Sequence, residues 1–337
     1  MSTRKLLVLT GVLVSVAVVG VLGSREVARI RVELASPAGR LRDDLKHTRD
    51  ADGQPLFARY LTELDPKGIL EVLEKEYPYC HSQAHPLGKA LYARGHDLHE
   101  SLETCGNRCT GGCFHGVITE ALRQFAATIG AADAPATLDQ LLAHGRRLCD
   151  DPDPSLAARR GSCAHGVGHA FAFMTQSRMA QAIDGCRTFS ERMLQFHCAR
   201  GAYMERDMAQ GPGDVVADYP MKPCLEEIEF PAACYRYKVP RLFQRGLTLD
   251  RVVKMCLDLT GFQELGCFHG LGFAQLETIG RFPEALAIVC THGTRDDQRV
   301  CIDGAAEKLS DFSAKDAQAA CASLHAGRRP TLATALG

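Results

Sequence analysis

CAHGVGHAFAF, residues 163–173, is the clearest copy of a pattern that recurs along this chain: CFHGVITEAL from 113, CARGAYMER from 198, CFHGLGFAQLE from 267 and CIDGAAEKL from 301. Two looser copies, CHSQAHPLGKALY from 80 and CYRYKVPRLF from 234, bring the series to seven. The aligned cysteines are Cys80, Cys113, Cys163, Cys198, Cys234, Cys267 and Cys301, spaced by 33, 50, 35, 36, 33 and 34 residues. A period of 33–36 residues is the length of a helical hairpin that stacks on its neighbours. The single long spacing is absorbed by the Ala/Gly/Pro-rich segment GAADAPAT at 130–137.

Each copy reads as the longer, second helix of its hairpin. Shorter segments with helical apolar spacing precede them and end in cysteine: ATLDQLLAHGRRLC at Cys149, SRMAQAIDGC at Cys186, LTLDRVVKMC at Cys256 and RFPEALAIVC at Cys290. YPMKPC at Cys224 is too short and proline-broken to read as a helix. No stretch alternates with the period of two that a strand requires, so the sequence predicts an all-α fold of about seven hairpins over residues 65–326, with a C-terminal tail at 327–337. The array closes as an α/α toroid or stays open as a curved α-solenoid, and the sequence is compatible with both.

The compartment decides what the sulfurs are. Fifteen cysteines in 337 residues exceed what packing requires, and the count is odd. The chain opens on Met-Ser-Thr-Arg-Lys and continues with LLVLTGVLVSVAVVGVLG, Leu6 to Gly23, without a charge. Residues 1–23 therefore read as a signal anchor or a cleaved signal peptide, 24–64 as a juxtamembrane tether, and the remainder as extracytoplasmic, in the periplasm or at the cell surface. There disulfides persist.

First-helix and second-helix cysteines then pair by register, within each hairpin: Cys105–Cys113, Cys149–Cys163, Cys186–Cys198, Cys224–Cys234, Cys256–Cys267 and Cys290–Cys301. In a closed ring Cys80–Cys321 would form a last rung and Cys109 would be the odd sulfur. Cys105, Cys109 and Cys113 with His115 also have the spacing of a zinc knot, the rival reading of those sulfurs.

Two residues after the repeat cysteine stand Ser82, His115, His165, Arg200, Arg236, His269 and Asp303. Two helical steps are a rotation of about 200°, so these side chains face away from the sulfurs and toward a common concave wall. His81/His85 and His165/His169 add two i, i+4 imidazole pairs. His81, His85, His115, His165, His169 and His269 are the candidate metal ligands, and thiolate-poor imidazole ligation suits copper, zinc or iron. Glu120 and Glu205, farther along the same helices, are the candidate proton-transfer groups. Taken singly, each histidine is better explained by a hydrogen bond to a neighbouring helix end or loop carbonyl; the register of the set brings a metal or catalytic site level with that reading. Glycine follows at Gly116, Gly166, Gly201, Gly270 and Gly304, which implies close packing on that face.

The alternative reading is a membrane-tethered scaffold on which Arg200, Arg236 and Asp303 recognise a protein or small anionic ligand. Lys+Arg 39 against Asp+Glu 40 excludes a globally basic nucleic-acid binder. The zincin, c-type haem, nucleophile-elbow, P-loop and dinucleotide signatures do not occur in the sequence.

Overall fold

The computed structural model describes residues 35–48, 53–77, 80–129, 135–150, 159–209, 220–222, 224–226, 229–279 and 289–309. The N-terminal apolar segment and Cys321 lie outside these, as does most of the first-type helix read at 281–290. Among the described residues the structure is helical, without a strand, and no helix is long and apolar enough to cross a membrane.

Fourteen α-helices follow one another: α1 (Pro37–His47), α2 (Gly53–Tyr60), α3 (Pro66–Glu76), α4 (His81–Gly95), α5 (Leu98–Cys105), α6 (Gly112–Thr128), α7 (Pro135–Asp150), α8 (Arg160–Met174), α9 (Met179–Arg187), α10 (Arg192–Ala209), α11 (Pro231–Gln244), α12 (Leu249–Leu257), α13 (Phe262–Ile279) and α14 (Arg295–Leu309). Local chemistry sets several starts. Ser36 and Asp65 cap α1 and α3 with side-chain oxygens on Gly39 N (3.0 Å) and Gly68 N (2.6 Å), each followed by proline in the first turn. Asp97 does the same for α5 on Glu100 N at 2.8 Å.

The short helices α1 and α2 fall in the stretch read as a tether. Each buries two apolar turns at most, Leu41 and Leu45 on α1 and Phe57 and Tyr60 on α2, too few for a sustained period in the sequence. α1 packs on α3 and α2 on α4.

The longer helices touch in chain order, α4 on α6, α6 on α8, α8 on α10, α10 on α11, α11 on α13 and α13 on α14. The first helices of the hairpins, α5, α7, α9 and α12, each pack against the helix that follows. Residues one position after the register cysteines, Phe114, Ala164, Ala199, Tyr235, Phe268 and Ile302, are buried in one apolar core with the sulfurs.

Seven disulfides cross this core. Six join Cys105–Cys113, Cys149–Cys163, Cys186–Cys198, Cys224–Cys234, Cys256–Cys267 and Cys290–Cys301, the pairs expected from register. The seventh corrects the sequence reading: Cys80 bonds Cys109 and not Cys321. After α5 the chain turns through three consecutive residues with positive φ, Cys109 (48°), Thr110 (55°) and Gly111 (73°), and this left-handed kink brings Cys109 beneath the start of α4. The zinc-knot reading of Cys105, Cys109 and Cys113 falls with it, since all three sulfurs are bonded. Fifteen cysteines less fourteen in bonds leave Cys321 as the odd one.

The register glycines are where backbone meets backbone. A Cβ on Gly112 or Gly116 of α6 would drive into the carbonyl oxygens of His81 and His85 on α4, and one on Gly88 of α4 would strike that of Cys113. The same reciprocal contact joins α8 to α10 through Gly168 on Cys198 O and Gly201 on His165 O, and α13 to α14 through Gly272 on Cys301 O and Gly304 on His269 O. Such close approach leaves no room for a methyl group. Gly201→Ala would gain about 1 kcal/mol from helix propensity if the site were exposed; here overpacking of about 1–3 kcal/mol or more opposes it. Chemical denaturation of G201A is expected to show a net loss of stability, and an unchanged or raised midpoint would contradict the packing described.

Candidate metal centre

His81 opens α4 immediately after the Cys80 bridge, and His85 follows one turn later on the same buried face. His115 lies in the first turns of α6, and His165 and His169 sit one turn apart on α8. Because α4, α6 and α8 approach through glycine, five imidazoles gather within one buried cluster; none is more than 8% exposed. Ring centroids are 4.6 Å apart for His115–His165, 4.8 Å for His81–His85, 4.9 Å for both His85–His169 and His165–His169, and 5.1 Å for His81–His115. One ring nitrogen from each of His81, His85, His115 and His169 lies within 4.8 Å of all the others, close enough to coordinate a single metal ion.

Hydrogen bonds fix how two of these rings present themselves. His81 Nδ1 is 3.2 Å from the carbonyl oxygen of Thr110. A carbonyl only accepts, so Nδ1 carries the proton and Nε2 is left with a bare lone pair. That Thr110 carbonyl belongs to the left-handed kink clamped by Cys80–Cys109. On the opposite side, His169 Nδ1 donates to Glu205 Oε2 of α10 at 2.8 Å, which again leaves Nε2 free as a ligand. Burial alone would raise the Glu205 pKa, but the hydrogen bond from His169 and the nearby Lys89 ammonium hold it below the usual carboxylate range.

The two i, i+4 pairs face each other nitrogen to nitrogen, His85 Nε2 to His81 Nε2 at 3.1 Å and His169 Nε2 to His165 Nε2 at 3.2 Å. Two imidazole nitrogens each about 2.05 Å from one ion, subtending roughly 100°, stand about 3.1 Å apart. The pairs therefore already have the separation of ligands to a common cation. His115 Nδ1 is buried without a hydrogen-bond partner among the described residues, an orphaned acceptor or donor in the middle of the cluster.

Electrostatics keeps the cluster in the ligating form. Burial, followed by the neighbouring His169 and Lys308, lowers the His81 pKa to about 3. His85, His115 and His165 are held well below the ordinary histidine value by burial first and by adjacent imidazoles second. At neutral pH these rings are uncharged, as metal ligands must be.

A cavity of about 190 Å³ adjoins the cluster, with His81, His115 and His165 on one wall and Arg200, Arg236, Tyr237, Phe273 and Glu307 on the other. His197, Asn107, Thr110 and Ser162 complete much of its rim.

Several expected site residues sit elsewhere. His269 is separated from the imidazole cluster: Arg236 Nη1 lies 3.0 Å from its Nε2, and the carboxylates of Glu307 and Asp303 are 3.5 and 3.9 Å away. The reason is that α10 and α11 place arginine at the register position, so two guanidinium groups intervene between α8 and α13. Glu120 is buried, but its carboxylate is engaged by Arg123 (2.6 and 2.7 Å) and Gln124 (3.0 Å) on its own helix, and it does not line the cavity. Asp303 is exposed and does not line it either. Glu205 is present, as the partner of His169.

The sequence did not reveal the Thr110 carbonyl, Tyr237, Phe273 or His197 as site groups. His197 directly precedes Cys198 and falls outside the register position, and backbone carbonyls have no residue-type signature. Phe273, six residues after Cys267 as Glu307 is after Cys301, did carry a register signal.

No family model, curated protein or solved structure matches the chain.

Two outcomes follow from this geometry. For His81 the native pKa lies below the unfolded value near 6.5, so the unfolded chain takes up the proton first and stability falls as pH drops from about 6.5 toward 3. The slope is about 1.4 kcal/mol per pH unit for each imidazole so placed. Metal-free protein is thus expected to lose its denaturation midpoint steeply between pH 6.5 and 5, and a flat profile there would show that the rings are not buried neutral. Replacing Cys80 and Cys109 together by serine releases the Thr110 carbonyl from His81. Metal affinity is expected to fall roughly 10–100-fold in competition with a chromophoric chelator, whereas the same change at Cys256 and Cys267 leaves it unaltered.

Proposed function

We propose that this protein is an exported, membrane-anchored helical-repeat protein whose inner wall binds a transition metal, as a metalloenzyme or in metal handling. The observation that carries the reading is the convergence of four buried imidazoles, His81, His85, His115 and His169, within coordinating distance of one another, with His165 as a fifth beside His169. The seven disulfides point to an oxidising, extracytoplasmic or secreted setting. In this reading Leu6–Gly23 supplies the anchor. Support for a curved, toroid-like array comes from the cavity itself, whose lining residues are drawn from α4, α6, α8, α10, α11, α13 and α14.

Imidazole donors without a free thiolate favour copper, zinc or iron over calcium or magnesium. When bound, such an ion supplies Lewis acidity or redox chemistry at the face of the cavity. The residues of the chain do the rest. Thr110 and Glu205 hold His81 and His169 in the ligating tautomer. The aromatic rings of Tyr237 and Phe273 restrict water on the cavity side.

Elemental analysis of the full-length chain, purified from an oxidising compartment, is expected to find a transition metal at about one equivalent. H85A/H169A should abolish binding and Glu205→Gln weaken it roughly 10–100-fold, with His269→Ala unchanged. Metal-free wild-type protein that takes up no copper, zinc or iron on dialysis would overturn the proposal.

A further inference from the structure

The wall of the cavity opposite the imidazoles carries a charge arrangement that metal ligation does not use. Arg200 on α10 and Arg236 on α11 share one carboxylate, Glu307 of α14, through Arg200 Nη2–Oε1 at 2.5 Å and Arg236 Nη1–Oε2 at 2.6 Å. Burial would raise the Glu307 pKa, but the two guanidinium groups hold it well below the usual range, so it is ionised. Two cations against one anion leave a net charge of +1 on the group formed by Arg200, Arg236 and Glu307. Burial and the Arg236 charge lower the His269 pKa well below normal, so that ring adds no charge.

Donors remain unused there. Arg236 is 3% exposed, yet its Nε and Nη2 have no hydrogen-bond partner among the described residues, and neither does Arg200 Nε. An unmet donor on a buried charged group is costly, by about 1–3 kcal/mol or more, and native proteins avoid it unless a ligand or water completes the set. The Arg236 guanidinium carbon also stands 4.5 Å from the centroid of the Phe273 ring and 5.4 Å from that of Tyr237. A planar fork beside two rings suits a carboxylate joined to a flat or apolar body.

We propose that the cavity binds a small organic monoanion, its carboxylate held by Arg236 and Arg200 and its other end facing His81, His115 and His165. The size is appropriate: about 190 Å³ is below the roughly 300–1,000 Å³ of sites for drug-sized molecules. The charge discriminates as well. With Glu307 already on the fork, a net +1 balances a monoanion, and a phosphate dianion would meet the Glu307 carboxylate uncompensated. This inference names the ligand class of the proposed metal centre and rests on that centre only for the second anchor.

Isothermal titration of the full-length protein with benzoate tests it, on zinc-loaded and on chelator-stripped samples. Zinc-loaded wild type is expected to bind one benzoate per chain. R236Q should weaken binding tenfold or more with zinc content unchanged, R200Q should weaken it at least threefold, and stripped wild type should bind about tenfold more weakly but still dependently on Arg236. Should R236Q not fold, R200Q carries the comparison. Arg236-dependent benzoate binding by a protein that takes up no metal would uphold the anion site and remove the metal centre. The anion proposal fails if neither sample binds benzoate saturably, if R236Q and R200Q bind as wild type does, or if inorganic phosphate binds tighter than benzoate.

Discussion

A backbone carbonyl of one long helix seated on a glycine of the next is the contact on which the inner wall depends. It recurs between α4 and α6, α8 and α10, and α13 and α14, and in each case the carbonyl belongs to a candidate-ligand histidine or a register cysteine: His81, His85, His165, His269, Cys113, Cys198 or Cys301. Helices that meet backbone to backbone lie closer than helices separated by side chains. The imidazoles on their inner faces are thereby pressed together. A helix-interior glycine is unfavourable by about 1 kcal/mol on propensity, and this geometry is what that weakness makes possible. The same contact explains why Cys-x-His-Gly is a unit: the sulfur, the imidazole and the close approach are three faces of about one helical turn.

Sulfur and imidazole divide the labour by angle. Two residues apart on a helix, they point in nearly opposite directions. Six of the bonds join a long helix to the chain segment before it, and His115, His165, Arg200 and Arg236 turn to the cavity. The seventh, Cys80–Cys109, breaks this scheme, and its position is informative because it anchors the kink whose Thr110 carbonyl orients a cluster histidine. Backbone strain at Cys109 and Thr110 is thus placed next to the site, where a non-glycine residue in the left-handed region, costing on the order of 1–2 kcal/mol, is tolerated only if the surroundings hold it.

Much of this was legible in the sequence because spacing encodes it. The helical period, the hairpin pairing of cysteines and the i, i+4 histidines are all one-dimensional signals. Cys80 was misassigned because its true partner lies across a left-handed kink, and no residue type announces positive φ when cysteine and threonine adopt it. His269 was placed with the other histidines because register equivalence says which face a side chain occupies, not how far along the wall it stands. Arginine at two successive register positions, Arg200 and Arg236, is the physical interruption that separates it from the rest. Helices α1 and α2 were missed for the opposite reason: their apolar turns are too few to form a period, and tertiary contact supplies what propensity lacks.

The interruption also divides the cavity chemically. On the α4–α6–α8 side, burial without a charged partner drives imidazoles to their neutral form, which is a demand for a cation. On the α10–α11–α14 side, two guanidinium groups that cannot lose their charge outnumber the carboxylate they share, which is a demand for an anion. Neither wall is satisfied by the other, because a neutral imidazole accepts at most one hydrogen bond and the Nε2 atoms of His81 and His169 are turned into their own cluster. A site with clustered imidazole nitrogens at one end and unpartnered guanidinium donors at the other is best completed by two species, a metal ion and an anion that lies against it. The fold brings both demands to one cavity of about 190 Å³, so the two would meet there.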